Sequence, residues 1–381
     1  MKIYVNLSAI TFSVTLGVWH FARKLLREIA THRDLQMIGL APSPNSIPAD
    51  VASIFDDLLD LGSGRSNKNY QDGVEFLLHH FQIPVTECSY VVIVHDLHLY
   101  DVPWKYGNFA RQHTELEKLV GGAAAVMTEF PRTYYDLPKV LPKVPNALFL
   151  SLSPSMHLPR SASHDTRSRM TEKYKLQRGS HLVLYPAQLQ LHKNHLTLCK
   201  AAKKILQQQP QLKVVCCGSS SSEKVTKDLC EGLSELGLTG TVFLPGRVSD
   251  DELQALYERA DLVVSPSLAE GGAYIAQEAI ERGKKVAVSA IRPALLHLRL
   301  MNAHIPTFDP LDVDAMADTI TAALADSQKN TAALLTIKSW TWACAASQYI
   351  AVLNWVYAGC KSGQIPPFAD TEAGISIADR L

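Results

Sequence analysis

Two glutamates and a pair of glycines stand close together in the segment "EGGAYIAQE". Glu270 and Glu278 are eight positions apart, and Gly271 and Gly272 directly follow the first of them. Carboxylates are strong acceptors for sugar hydroxyls, and glycines let the backbone approach a ligand closely. The pattern predicts a helix from about Tyr274 to Arg282, whose start offers unpaired N–H groups and partial positive charge. The segment is typical of a phosphate-binding site with sugar hydroxyls on either side of the phosphate.

Short, continuous apolar runs alternate with helical patterns along most of the chain. The predicted strands are "KIYVNL", "LQMIGLA", "YVVIVHD", "AAAVMTE" and "ALFLSLS" in the first half, and "HLVLYPA", "LKVVCCG", "TVFLPG", "LVVSPS" and "KVAVSA" in the second. Continuous apolar strands indicate sheets covered on both faces. The sequence therefore predicts an α/β protein with two doubly wound, Rossmann-like parallel-sheet domains. A polar segment joins them, and ligands are expected in the cleft that the strand ends face.

Composition narrows the class of protein. The 381 residues are 47% apolar with a formal net charge of zero, which argues against a nucleic-acid binder that acts through overall charge. The seven cysteines show no C-x-x-C spacing, so a reduced, cytoplasmic setting is expected. Cys216 and Cys217 lie in an apolar run, where thiols act as small buried hydrophobes. The sequence has no uninterrupted run of eighteen apolar residues, so no membrane span is predicted.

Several polar motifs have a simpler structural interpretation. His192 and His195 have no nearby third ligand, so they are interpreted as surface and helix-start residues rather than a metal pair. The D-x-D motif that starts at Asp312 precedes a helical pattern and is predicted to cap it. Asp96 can be interpreted as a cap for the turn that follows it. The first strand is not followed by G-x-G-x-x-G, which argues against a nicotinamide enzyme.

Motifs over nearly the whole chain resemble one family. The two glutamates after a strand ending in "PS", followed by G-x-x-V-x-x-S, resemble the signature of the retaining GT-B glycosyltransferases of the large family four group, glycosyltransferase group 1. Members read close to E-G-F-G-x-P-x-x-E where this chain reads "EGGAYIAQE". The Gly-Gly form and "LYPAQLQLHKNHLTLCKA" resemble the lipopolysaccharide/O-antigen mannosyltransferase-like subgroup. "VFLPGRVSDDELQALYERADLVVSPS", "VIVHDLHLYDVPWKY" and "SWTWACAASQYIAVLNWVY" resemble further family segments.

The resemblance implies roles for the residues of the opening segment. Glu278 would bind the ribose hydroxyls of a nucleotide-sugar donor. Glu270, with the backbone at Gly271 and Gly272, would hold the donor sugar and the diphosphate. Lys193 would neutralise the diphosphate.

The resemblance extends to five further positions. Gln188 stands where most members have an arginine, so it supplies a hydrogen-bond donor but no charge. The backbone at Arg247 and Val248 is expected to border the nucleotide base. His95 would point into the cleft from the other domain, near donor sugar and acceptor. Gly17 matches part of the glycine-rich start of the first helix.

The family's organisation implies four segments. Residues 1–165 would form the acceptor-side domain and residues 166–340 the donor-binding domain. Residues 341–360 would form a helix that crosses back to the first domain, and residues 361–381 a polar tail.

The implied function is metal-independent transfer of a hexose, with retention, from a nucleotide diphosphate sugar to a hydroxyl of a saccharide or lipid-linked saccharide. The subgroup suggests mannose from GDP-mannose and a part in polysaccharide biosynthesis. No cofactor is expected, because the nucleotide sugar is a substrate. No metal and no nucleic acid are expected either. Arg23, Lys24 and Arg27 on one helix face could contact the inner face of a membrane, but a solvated helix face is the interpretation that we favour.

Three alternatives stay open from the sequence. One is a UDP-sugar-dependent transferase that acts on a small-molecule acceptor. Another is a catalytically silent donor-binding subunit, for which Gln188 leaves room. The third is a nucleotide-sugar epimerase, which shares the architecture and needs no acceptor.

Overall fold

The computed structural model describes most of the chain, and its residues fall into two compact units. The described residues are 1–8, 17–62, 70, 72–80, 82–145, 147–155, 161–220, 222–326 and 331–360. The first unit takes the described residues up to 156 and returns from residue 339 onward, and the second takes those between 157 and 338. The sequence-based domain boundaries were drawn at 165/166 and 340/341, and the predicted tail 361–381 lies outside the described residues.

The first unit is built on a seven-stranded parallel sheet. Its strands, β1 to β7 in chain order, are Lys2–Asn6, Gln36–Ala41, Asp57–Asp60, Val74–Leu77, Tyr90–Ile93, Ala125–Thr128 and Leu148–Leu150. Its helices are α1 to α5, Gly17–Ile29, Ala49–Ala52, His98–Asp101, Phe109–Gly122 and Pro131–Val140, together with the last helix of the described chain, α14, Trp342–Tyr357. The strand order is β3-β2-β1-β4-β5-β6-β7, so the winding direction reverses between β1 and β4.

Both faces of this sheet are covered, as continuous apolar strands require. Phe76 and Ile93 point to the face that packs against α1 and α14. Leu77 and Val92 point to the opposite face, which packs against α4 and α5. The last helix α14 is thus part of the first unit's core, although the second unit precedes it in the chain.

The second unit contains a six-stranded parallel sheet. Its strands, β8 to β13, are His181–Tyr185, Leu212–Cys217, Val242–Gly246, Leu262–Ser265, Val286–Ser289 and Thr307–Phe308. Its helices, α6 to α13, are His164–Lys173, His195–Ile205, Glu223–Glu235, Asp250–Arg259, Tyr274–Glu281, Arg292–Leu300, Val313–Ala325 and Thr331–Lys338. The order β10-β9-β8-β11-β12-β13 reverses between β8 and β11. The loops after those two strands therefore flank the crevice in which sheets of this kind bind ligands.

Two sequence-based interpretations of this unit are confirmed. The Asp312 side chain accepts hydrogen bonds from the backbone N–H groups of Asp314 and Ala315 and so caps α12. Cys216 and Cys217 are buried in β9, where burial raises the pKa of the Cys217 thiol to about 12.

All ten predicted strands form, but three observed strands were not predicted. These are β3, β4 and the two-residue β13. β4 was missed because Glu75 interrupts its apolar pattern, yet this residue is fully buried. Its carboxylate accepts hydrogen bonds from the side chains of Asn6 and Thr86 and from the backbone N–H groups of Val85 and Thr86. Asn6 is 69 positions away, and Val85 and Thr86 lie ten and eleven residues after Glu75, beyond the strand itself, so the pattern of the strand could not reveal these donors.

Candidate functional site

The loops after β8 and β11, residues 186–194 and 266–273, meet at the switch point of the second unit. Tyr185, the last residue of β8, joins them because its hydroxyl donates to the backbone carbonyl of Lys193 at 2.9 Å and lies 2.9 Å from the Ser267 hydroxyl. Burial, reinforced by the nearby Glu270 carboxylate, raises the pKa of Tyr185 well above its usual value. This hydroxyl is therefore neutral, and its two hydrogen bonds hold the loops after β8 and β11 together.

A second set of bonds fixes the same two loops. Asn194 adopts the left-handed conformation, with φ of 60°, which Asn tolerates better than most residues. Its side-chain amide donates to the carbonyls of Pro266 at 3.0 Å and Pro310 at 2.7 Å. The Leu268 N–H donates to the carbonyl of His192 at 2.7 Å. The backbone on either side of Lys193 is thus held against the end of β11.

The charged centre of this site is an ion pair. Lys193 Nζ lies 2.7 Å from Glu270 Oε1, and each side chain retains 17% of its exposure. The two residues are 77 positions apart in sequence and meet because β8 and β11 are neighbours in the sheet. A lysine ammonium carries three donors, so one bond to a carboxylate leaves capacity for an incoming anion.

The glycine pair forms a bend that leads into α10. Gly271 and Gly272 are buried, and the next N–H, that of Ala273, donates to His297 Nδ1 at 2.9 Å. Burial lowers the pKa of His297 to about 4, so this ring is neutral and can accept that bond. Its ring packs edge-on against Tyr274. The first turn of α10 is thus anchored from α11, and helix N-termini favour anions.

Glu278 is held by a neighbouring helix. Its Oε2 accepts a hydrogen bond from the Tyr257 hydroxyl at 3.2 Å. Burial and then the Glu278 charge raise the pKa of Tyr257 well above its usual value. The Arg282 guanidinium lies 4.5 Å from the centre of the Tyr257 ring and donates to the backbone carbonyl of Glu278 at 2.9 Å. Neither Tyr257 nor Arg282 was predicted as a site residue from the sequence; the available signals were the tyrosine in "YERAD" and the four-residue spacing from Glu278 to Arg282.

Gln188 lies where the loop after β8 crosses the end of β9. Its Oε1 accepts from Gln190 Nε2 at 2.8 Å, and its Nε2 donates to the Ser219 hydroxyl at 3.4 Å. A Cβ on Gly218 would come within 2.2 Å of the Ala187 carbonyl oxygen, so only glycine allows this approach. Sequence reasoning missed Gly218, for which the only signal was a glycine that directly follows the strand "LKVVCC".

Arg247 and Val248 directly follow β10. Arg247 is exposed and Val248 is half-buried. The preceding Gly246 has φ of 71°, and its carbonyl accepts from the Gly218 N–H at 2.8 Å. Their predicted role at the edge of a base stays a prediction.

His95, in the first unit, is buried with both ring nitrogens engaged. Its Nδ1 bonds the Glu129 carboxylate and its Nε2 the carbonyl of Leu78, the latter at 2.8 Å. Because both partners are acceptors, this geometry fits the doubly protonated ring. Burial lowers the pKa of His95, but the Glu129 charge and these hydrogen bonds outweigh it, and the net pKa is raised. Its predicted role beside a sugar stays a prediction.

Three further histidines surround Asp96 at the same edge of the sheet. His79 and His80 stack with ring centres 4.4 Å apart, and burial lowers the pKa of His80 to about 4. Asp96 accepts a hydrogen bond from the backbone N–H of His98 at 2.9 Å, which confirms the capping interpretation. Burial raises the pKa of Asp96, but the charges of His98 and His80 and this hydrogen bond outweigh it, and the net pKa lies well below its usual value.

The interpretation of His192 and His195 as surface residues was wrong, although His195 does begin α7. Both are buried because the loops at the switch point pack tightly. The His195 ring packs on Tyr185 with centres 4.7 Å apart. Burial, reinforced by the charge of Lys193, lowers the pKa of His195 to about 3. Within the part of the chain that the structure describes, no three His, Cys, Asp or Glu residues are grouped so that they could hold a metal ion.

Gly17 begins α1 at an exposed position, and a Cβ there would meet nothing within 4 Å. The residues before it, 9–16, lie outside the described ones, so its predicted part in a glycine-rich turn stays a prediction.

The basic face of α1 is engaged within the first unit. Arg23 and Arg27 pair with Asp50 at 2.5 and 3.4 Å, and Lys24 Nζ lies 5.9 Å from the centre of the Trp342 ring. Among the described residues, no helix is both long and apolar enough to cross a membrane.

Comparison with known proteins bears directly on this site. Residues 166–334, which include the crevice of the second unit, match the family model described as "Glycosyl transferases group 1". This match supports the group 1 glycosyltransferase family. A D-inositol 3-phosphate glycosyltransferase from Corynebacterium aurimucosum is 28% identical over 215 residues, which are 52% of this chain and 48% of that protein. The chain spans about half or less of the length of the first curated relatives that it matches.

Solved structures show the fold over nearly the whole chain. A sucrose-phosphate synthase from Thermosynechococcus elongatus has a TM-score of 0.73 at 16% identity and covers 94% of this chain and 100% of its own. HepE from Anabaena, in complex with UDP and glucose, has a TM-score of 0.70 at 15% identity and covers 93% and 99%. The predicted GT-B class, with two parallel-sheet α/β domains, is confirmed.

Proposed function

We propose that this protein is a retaining glycosyltransferase that moves a hexose from a nucleotide diphosphate sugar to a hydroxyl of a saccharide or lipid-linked saccharide. The observation that carries the proposal is the Lys193–Glu270 pair at the switch point, beside the glycine bend that starts α10. This arrangement joins a cation, a helix N-terminus and a carboxylate at the place where such sheets bind ligands. The family match over residues 166–334 supports the same conclusion.

The diphosphate would lie between Lys193 and the start of α10. Lys193 would share its three donors between the Glu270 carboxylate and the phosphate oxygens. The backbone at Gly271 and Gly272 would allow close approach of the diphosphate. Glu270 would accept a hydrogen bond from a hydroxyl of the donor sugar. Negative charge that develops on the leaving nucleoside diphosphate would be stabilised by electrostatics rather than by acid catalysis.

The nucleoside would extend toward Glu278, whose carboxylate is oriented by Tyr257 and would accept bonds from the ribose hydroxyls. Arg247 and Val248 would border the base, and Gln188 would donate to the diphosphate without adding charge.

From the first unit, His95 is proposed to contribute near the donor sugar, and Gly17 near the diphosphate. Because His95 is held between Glu129 and Leu78, it would act as a fixed charge and not as a proton carrier. We propose front-face substitution with retention of configuration, on the family resemblance, and no metal in the reaction.

Two nucleotide sugars are candidates for the donor substrate. The Gly-Gly form and the "YPAQ" block favour GDP-mannose, with a cytoplasmic location and peripheral contact with the membrane. The similarity to HepE, solved with UDP and glucose, and to D-inositol 3-phosphate glycosyltransferases favours a UDP-sugar and a small acceptor. The first is the donor that we propose, and the second is the alternative.

Release of nucleoside diphosphate tests the proposal. The full chain would be incubated with GDP-mannose or UDP-glucose, with D-inositol 3-phosphate or methyl α-D-mannopyranoside as trial acceptors. We expect acceptor-dependent release of one nucleoside diphosphate and a product whose anomeric configuration, read by proton NMR, matches the donor.

Lys193→Met should abolish most of the release, whereas Lys200→Met, which removes an exposed charge from α7, should not. Conversion of the donor without an acceptor would indicate an epimerase. Tight nucleotide binding without release of nucleoside diphosphate would favour the silent subunit.

A further inference from the structure

A buried histidine of α11 contacts the backbone at the start of α10. The Ala273 N–H donates to His297 Nδ1 at 2.9 Å, and His297 is 2% exposed. The His297 ring also packs edge-on against Tyr274, with ring centres 6.1 Å apart. Ala273 is the N-cap of α10 and Tyr274 is its first residue. Both contacts therefore fall on the start of the helix that follows the glycine bend.

His297 accepts the Ala273 N–H because its ring is neutral. Burial lowers the pKa of His297 to about 4, so the ring carries one proton at neutral pH. Since Nδ1 is the acceptor, that proton lies on Nε2. A doubly protonated ring has no acceptor and would repel the N–H. The contact therefore defines one tautomer of His297.

The start of α10 is held differently from the starts of the capped helices in the same unit. Ser222, Ser249 and Asp312 each accept a hydrogen bond from an N–H in the first turn of α8, α9 and α12. A cap of this kind occupies donors that an anion could bind. At α10 the N-cap is Ala273, whose methyl side chain cannot accept a hydrogen bond. The bond to His297 Nδ1 takes the N-cap's own N–H, so it fixes the helix start without using the N–H groups further into the first turn.

Loss of this acceptor would disturb the proposed diphosphate site. Ala273 is 7% exposed, and a buried N–H without an acceptor is unfavourable, so the backbone would shift until the N–H found another partner. Gly271 and Gly272 directly precede Ala273 and offer little resistance to such a shift, because glycine adopts many conformations. Electrostatic stabilisation of a phosphate depends on donors that are already fixed in place, and this shift would move them.

We infer that His297 is a positioning residue of the donor site, which holds the glycine bend and the first turn of α10 in place for the diphosphate. The inference rests on the proposed function, in which the diphosphate lies between Lys193 and the start of α10. His297 acts through the backbone of Ala273 and is assigned no contact with the donor. A histidine that served core packing alone would affect stability without affecting the preference for a diphosphate over a monophosphate.

Calorimetry of GDP, GMP, UDP and UMP with the full chain tests this role. His297→Leu removes the acceptor and should weaken diphosphate binding about three- to tenfold more than monophosphate binding. His297→Asn should keep the wild-type ratio of the two affinities, because its side-chain carbonyl can accept the Ala273 N–H in place of Nδ1. Leu298→Ala is the control. It truncates a neighbouring buried side chain of α11 and should lower stability without changing the ratio.

Heteronuclear NMR with isotope-labelled histidine is a second measurement, and it uses the wild-type protein. The His297 signals are those that are missing from the spectrum of His297→Asn. They should show a proton on Nε2 and none on Nδ1, and the Nδ1 signal should shift when a nucleoside diphosphate binds. A proton on Nδ1 would overturn the inference, as would an Nδ1 signal that a bound diphosphate leaves unchanged.

The results separate this inference from the proposed function. If wild type binds neither GDP nor UDP, the proposed donor and its alternative are both wrong, and the inference falls with them. If wild type binds a diphosphate and His297→Leu keeps the wild-type ratio, the inference alone is wrong. It is also wrong if His297→Asn loses the ratio as fully as His297→Leu does. If His297→Leu does not fold, the NMR result decides.

Discussion

Replacing Lys193 with methionine removes a charge from the proposed diphosphate site and keeps a chain of similar length. The ammonium lies 2.7 Å from the Glu270 carboxylate, and both side chains are 17% exposed. A charge-assisted hydrogen bond to a phosphate contributes about 1.5–3 kcal/mol. We therefore expect Lys193→Met to bind nucleoside diphosphate about 10- to 100-fold more weakly than wild type.

The same substitution leaves Glu270 without its cation, which affects folding as well as binding. Exposed ion pairs contribute at most about 1 kcal/mol, whereas breaking a buried pair costs about 3–5 kcal/mol. With most of each side chain buried, we expect a loss of about 1–3 kcal/mol in the free energy of unfolding. Chemical denaturation checks this value, and calorimetry should be done well below the unfolding transition.

A double-mutant cycle separates the two roles of the lysine. If Lys193 serves only to neutralise Glu270, then Lys193→Met should have no further effect once Glu270 is replaced by glutamine. If it binds phosphate, the affinity ratio between nucleoside diphosphate and nucleoside monophosphate should still fall in the double variant. Calorimetry of both nucleotides with all four proteins measures this ratio, with Lys200→Met as the charge control. An unchanged ratio would refute the phosphate-binding role.

Three further predictions follow from individual contacts. Tyr257→Phe removes the hydroxyl that orients Glu278 and should weaken nucleotide binding about tenfold in calorimetry, with little change in fold by circular dichroism. Asp312→Ala removes the cap of α12 and should lower the free energy of unfolding by about 1 kcal/mol in urea titrations; no change would show that the cap is not stabilising. Because the pKa of His95 is raised in the fold, its pairing with Glu129 contributes most below about pH 6.5 and is lost as pH rises through that raised value. Urea titrations at several pH values should therefore show that Glu129→Gln is most destabilising at low pH, and a pH-independent difference would contradict the assignment.

The sequence predicted the fold where the local pattern carries the information. Continuous apolar strands such as Tyr90–Ile93 are readable because both faces of a parallel sheet are buried. β4 was not predicted, because the cost of burying Glu75 is offset by donors that lie outside the strand, among them Asn6 at 69 positions away and Val85 at ten. Nor could the sequence show that His192 is buried, since only the packing of loops at the switch point creates that environment.

The candidate site, like the fold, was predictable only where the local sequence carries the information. Lys193 and Glu270 were both recognised from their motifs, but only the sheet order places their charges in direct contact. Tyr257 was missed because a tyrosine inside a helical pattern is ordinarily a core residue, and its bond to Glu278 joins two helices. For His95, the resemblance implied a ring that points into a cleft. The described partners engage both nitrogens, and its catalytic part stays a proposal.

The proposed donor site is tested most directly by calorimetric titration of GDP, UDP, ADP and dTDP into wild type, Glu278→Ala and Glu281→Ala. The last is a control that removes a glutamate from the same helix three residues further on. We predict that at least one diphosphate binds to wild type and to Glu281→Ala and that this binding is lost in Glu278→Ala. If no diphosphate binds, or if both variants bind it as well as wild type, the donor site is not where the Lys193–Glu270 pair and Glu278 lie, and the central claim is contradicted.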